Sequence, residues 1–104
     1  MPQKQYNIFL ENNIRILVYF ETDKGKIIKF VVKLEIYKNN DWFEIERYDT
    51  HHGYVHKDVL NKMKEKIKVI IFELLDNKIG LNIALKDFKE NYNLYLWRLE
   101  NEKQ

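Results

Sequence analysis

Ten residues, Ile28 to Tyr37, limit the fold of this chain more than any other stretch. Ile28, Phe30, Val32, Leu34 and Ile36 alternate with Lys29, Val31, Lys33, Glu35 and Tyr37. A period of two sends these sets to opposite faces of an extended strand, whereas a helix would scatter them around its axis. One face mostly apolar and the other mostly polar is the pattern of an antiparallel sheet with one side on a core and one side in water.

The neighbouring segments extend that sheet. Tyr6, Ile8 and Leu10 alternate first, then Ile14, Ile16, Val18 and Phe20, with Arg15, Leu17 and Tyr19 on the other side. Asn12-Asn13, Asp23-Lys24-Gly25 and Asn39-Asn40-Asp41 separate the runs, and asparagine and glycine tolerate the positive φ that tight hairpins demand. A fourth strand, Trp42 to Asp49, is expected to turn Phe43 and Ile45 inward and Glu44 and Glu46 outward. The same alternation places Arg47 and Asp49 on the core side. Residues 5–49 thus read as an antiparallel meander, 50–66 as a His/Lys-rich loop, and the apolar, β-branched 67–73 as a fifth strand.

Residues 81–101 carry a different period. Leu81, Leu85, Phe88, Tyr92, Tyr95 and Leu99 recur at spacings of three and four, Leu96 widens the stripe, and Lys86, Asp87, Lys89, Glu90 and Asn93 lie opposite. Such a helix needs an apolar surface, and the inner face of the meander supplies one. The expected architecture is a single α+β domain: a four- or five-stranded, mostly antiparallel sheet with a long C-terminal amphipathic helix across one face. A length of 104 residues leaves no room for a second core.

Composition removes several functions. The chain has no cysteine, so disulfides and zinc–thiolate sites are out, and no serine, so serine catalysis is out. No apolar run reaches the roughly 20 residues of a membrane span. The polar start, Met1 to Asn7, has no signal-peptide pattern. These features give the expectation of a cytoplasmic protein with no membrane partner. The net charge is only +2, yet residues 57–68 hold five lysines against Asp58 and Glu65.

All three histidines fall in Arg47-Tyr48-Asp49-Thr50-His51-His52-Gly53-Tyr54-Val55-His56-Lys57-Asp58. Three chemistries fit this stretch. In metal-independent RNA cleavage, His52 and His56 serve as the acid–base pair, Arg47 meets the phosphate and Asp49 orients an imidazole. Tyr48, His51, Lys57, Lys62 and Lys64 would bind the substrate, and no cofactor is called for. In a metal site, His52 and His56 combine with Asp49 or Asp58. In a purely structural loop, Asp49 caps a turn, Gly53 takes positive φ, and Arg47 pairs with Asp49.

Two segments, Phe30-Val31-Val32-Lys33-Leu34-Glu35 and Arg47 to Asp58, carry a resemblance. They look like an uncharacterised family of small prokaryotic domains in which an F-V-V-x-L-E strand is followed by a tryptophan, matched by Trp42, and then by R-Y-D-x-x-H-G-x-x-H-x-D. The Y-D-x-x-H-G core is also similar to a motif of TumE-type toxins of toxin–antitoxin pairs. The resemblance implies Tyr48, Asp49, His52, Gly53 and His56 as defining positions, with RNA and a cognate antitoxin as partners. The rival expectation is a non-catalytic module that binds another protein or a second copy of itself. Its surface would be the outward sheet face with Leu17, Tyr19, Val31 and Tyr37, or the neighbourhood of Trp97, which lies off the helix stripe.

Overall fold

The computed structural model describes residues 2–102. Six strands form one antiparallel sheet in chain order: β1 (Gln3–Glu11), β2 (Ile14–Asp23), β3 (Lys26–Lys38), β4 (Asp41–Asp49), β5 (Val55–Leu60) and β6 (Lys66–Phe72). The helix α1 (Asn77–Glu100) crosses one face, over β3 and β4. The α+β expectation is met, with six strands in place of four or five.

Short turns dictate the meander. Lys24-Gly25 and Asn39-Asn40 both take positive φ at two successive residues, the geometry that matches a hairpin's right-handed twist. Asn12-Asn13 turns the chain without positive φ, and the bulge that leaves Leu10 unpaired accommodates it. Asp76 caps the helix by accepting a hydrogen bond from the Ile79 amide. The helix therefore begins one turn earlier than its apolar stripe suggests.

The core lies between helix and sheet. Ile14, Ile16 and Val18 from β2, Phe30, Val32 and Leu34 from β3, Ile45 and Tyr48 from β4, and Val55 from β5 pack under Leu81, Ala84 and Phe88. Bulges decide which residues reach it. In β3, Ile28 is the extra residue opposite Glu21 and Thr22, so Ile27 packs on the core and Ile28 is exposed. In β4, Ile45 is the extra residue between the pairs Leu34–Glu46 and Glu35–Glu44. Beyond it the alternation is inverted. Glu46 and Tyr48 turn toward the helix, and Arg47 and Asp49 point to the open face, the reverse of the expectation from strict period two.

Val55–Leu60 is a strand, not part of a loop, and all six of its residues are buried. His56, Lys57 and Asp58 disguise it, because three titratable side chains in a row look like a solvated segment. Alternation sends Lys57 under the helix and His56 and Asp58 to the open face.

At Gly80 the helix backbone comes close to the sheet. A Cβ there would lie 2.8 Å and 3.1 Å from the two γ-methyls of Val55. Helix propensity alone favours alanine over glycine by about 1 kcal/mol, but overpacking a buried contact costs about 1–3 kcal/mol. Gly80→Ala is therefore expected to destabilise the fold in urea denaturation. Adding Val55→Ala should cost less in the Gly80→Ala background than in the wild type, because the two changes share one space.

Candidate functional site: a cleft on the helix-free face

The bulge at Ile45 and the register of β4 on β5 bring the polar residues of the histidine stretch together on the open face. Asp49 pairs with His56 and Arg47 with Asp58 across the two strands. His56 Nε2 lies 3.0 Å from Asp49 Oδ1 and 3.7 Å from Asp58 Oδ2, while its Nδ1 is 3.4 Å from the Tyr54 carbonyl. Arg47 Nε is 3.2 Å from both Glu44 Oε1 and Asp49 Oδ2, and an Nη lies 3.6 Å from Asp58 Oδ2. Lys66, arriving from β6, reaches Asp58 Oδ2 at 3.3 Å. Burial pushes the Glu44 carboxyl above its ordinary range, against the pull of Arg47 and Lys33.

The loop after β4 is tightly specified. Asp49 Oδ1 accepts the His51 amide at 2.9 Å, and the Phe30 amide donates to Thr50 Oγ1 at 3.1 Å. His52 and Gly53 both take positive φ, at 75° and 85°. The turn-forming features of the structural reading are thus present. They frame a cleft of about 440 Å³ lined by Lys29, Phe30, Val31, Arg47, Asp49, His51, His56 and Lys66.

The expected site residues divide into four groups. Arg47, Asp49, His51 and His56 line the cleft. His52 does not, although its ring centroid is 6.3 Å from that of His56. His56 itself is buried with both ring nitrogens aimed at acceptors, so it positions neighbours rather than offering a free nitrogen to a substrate. Lys62 and Lys64 sit at the other end of β5, where they line a separate pocket of about 170 Å³ with Ile36, Phe43 and Leu99. Their charge does not stand beside the histidines. Lys66, from the basic run 57–68, and Lys29 take that place, and only the strand pairing brings Lys29 there.

Tyr48 and Lys57, expected to bind substrate, lie on the opposite face beneath the helix. The Lys57 ammonium donates to Asp87 Oδ2 at 2.9 Å and Tyr95 Oη at 3.0 Å, and forms an ion pair with Glu46 Oε1 at 2.8 Å. Three oxygens, two of them carboxylate, thus surround the ammonium. Asp87 in turn accepts from Tyr48, Tyr95, Asn91 and Lys57. Arg98 donates to the Leu60 carbonyl and lies 3.7 Å from Glu46. Burial alone would lower the Lys57 pKa, but its hydrogen bonds to Glu46, Tyr95 and Asp87 outweigh that and raise it. Burial likewise favours a neutral Asp87, yet the four donors win and hold its carboxyl below the ordinary range. Glu46 is raised, chiefly by burial. This cluster ties the helix to β4 and β5.

Asp49, His56 and Asp58 present donor atoms within 4.8 Å of one another, a set that could hold a divalent cation. The two-histidine set expected from the sequence is not assembled, because His52 lies outside it. Arg47 and Lys66 already balance both carboxylates, so a dication would compete with them.

Two outcomes follow from the helix-side cluster. Lys57→Met, which strands Glu46 and Asp87 without their cation, should destabilise the protein by about 3 kcal/mol in chemical denaturation. Asp87 has a folded pKa below its unfolded value of about 3.9. Its contribution is therefore complete above that value and is lost as pH falls through the folded pKa. Asp87→Asn should lower stability at neutral pH and flatten the loss of stability in acid.

No curated protein and no solved structure matches the chain. The model of one family, described as Domain of unknown function (DUF7718), matches residues 1–104. With the whole sequence covered, the chain belongs to the DUF7718 family.

Proposed function

We propose that the open-face cleft binds the phosphodiester backbone of a single-stranded RNA. The observation that carries this reading is the convergence of Lys29 from β3, Arg47 from β4, His51 from the turn and Lys66 from β6 on one cleft. Three of the lining side chains are cations and one is a carboxylate, and the exposed ammonium groups of Lys29 and Lys66 are the ones an incoming anion would meet. Arg47 and His56 are held in place by Asp49 and Asp58, so little ordering is needed when a phosphate arrives.

Should the bound RNA be cut, the residue to move protons is His51, which is exposed, rather than His52 or the engaged His56. Arg47 and the two lysines would stabilise charge on the phosphorane. The toxin role implied by the resemblance to TumE-type chains takes this form: RNA bound in the cleft, and growth arrested by its cleavage or sequestration.

Fluorescence anisotropy with a labelled single-stranded oligoribonucleotide tests the proposal. Three phosphate contacts predict a slope of about −2 in log K against log salt. Lys29→Ala combined with Lys66→Ala should weaken binding at least about tenfold and bring the slope below about −1 in magnitude. Lys62→Ala with Lys64→Ala, at the far turn, should leave binding unchanged. Absence of binding at low salt, or equal losses in both pairs, overturns the assignment. Where cleavage is seen, His51→Ala should stop it with affinity retained.

A further inference from the structure

The helix α1 is apolar on two opposite sides. One side lies on the sheet through Leu81, Ala84 and Phe88. The other carries Ile79, Ile83, Leu94 and Trp97, which are 52%, 37%, 60% and 62% exposed. At 3.6 residues per turn these four, together with Lys86 and Glu90 between them, fall within roughly 80° of arc. The stripe is about 27 Å long at 1.5 Å per residue. The solvated pole of a surface helix ordinarily carries charge, and four large apolar side chains there indicate a surface with a partner.

The order of residues along the stripe identifies that partner. Reading outward from the level of Phe88, Lys86 mirrors Glu90, Ile83 mirrors Asn93 and its neighbour Leu94, and Ile79 mirrors Trp97. A second copy laid antiparallel across a two-fold axis at this level sets Lys86 against the partner's Glu90, and Glu90 against the partner's Lys86. On either side, Ile79 and Ile83 then meet the partner's Leu94 and Trp97. A parallel arrangement would instead oppose like charges. Within one helix, lysine four residues before glutamate is the weaker orientation of such a pair, which leaves both groups free to pair across the axis. Self-complementarity of this kind is what an isologous interface requires.

We propose that the chain forms a two-fold symmetric dimer through this outer stripe of α1. The dimer stacks sheet, helix, helix and sheet, so both open-face clefts point outward and remain accessible. The inference therefore stands apart from the RNA-binding reading. A contact made mainly by one helix per chain lies at the low end of interface sizes, so association falls in the micromolar range.

Sedimentation velocity on the full chain from about 5 to 500 µM, spanning that affinity range, tests the proposal. The wild type is expected to pass from monomer to dimer. Lys86→Glu and Glu90→Lys each place like charges across the axis and should weaken association at least about tenfold. Mixing the two variants in equal amounts should restore the dimer, since each then supplies the charge the other lacks. Both residues are exposed, and unchanged circular dichroism confirms the fold. Trp97→Ala should also dissociate the dimer. A monomer at every concentration, or a dimer indifferent to either charge reversal, overturns the proposal.

Discussion

A lysine ammonium withdrawn from water must find an acceptor for each of its three protons, and the arrangement around Lys57 answers to that need. Glu46 comes from β4, and Asp87 and Tyr95 come from positions about two turns apart on the helix. One side chain thus fixes the distance between sheet and helix and the rotation of the helix about its axis. Asp87, which the helical wheel places among the polar residues, is drawn into contact because Lys57 and Tyr48 wait beneath it. Apolar contacts alone would hold the helix down but would allow it to slide. The charged cluster fixes where it stops.

The same strand, β5, ties this lock to the cleft on the other face. Its neighbours in sequence, His56 and Asp58, alternate away from Lys57 and are held by Asp49, Arg47 and Lys66. A strand buried on both faces usually carries apolar residues throughout. Here three titratable groups are buried side by side because each face supplies opposite charge. The cleft inherits its rigidity from that arrangement. Arg47 and His56 are held by their carboxylate partners, and the exposed groups Lys29, His51 and Lys66 complete the lining of the cleft.

Much of the fold was legible in the sequence. Period two across β2 and β3, hairpin residues between the strands and a three-four stripe in α1 reflect local geometry, and each appears where its pattern lies. Three features escaped, the first being the bulge in β3 that leaves Ile28 exposed. The strand β5 was hidden because His-Lys-Asp resembles a solvated loop unless its partners are known. The faces of β4 were inverted because Ile45 forms a bulge, and no residue at that position announces one. The site followed the same division. The clustering of histidines located the cleft's neighbourhood, but the lining differs: His51 lines it and His52 does not, and Lys29 and Lys66 line it where Lys57, Lys62 and Lys64 do not.

By itself the sequence determined five of the six strands, the helix and their order, because those depend on near-neighbour periodicity and turn chemistry. Only the tertiary structure decided which face each polar side chain occupies. That choice depends on one extra residue in β4 and on charges tens of positions apart in the chain. Lys57 is buried because Asp87 and Tyr95 reach it from the helix, and Lys29 and Lys66 meet Arg47 because four strands pair in one register. Such long-range satisfaction of charge leaves no local pattern to read.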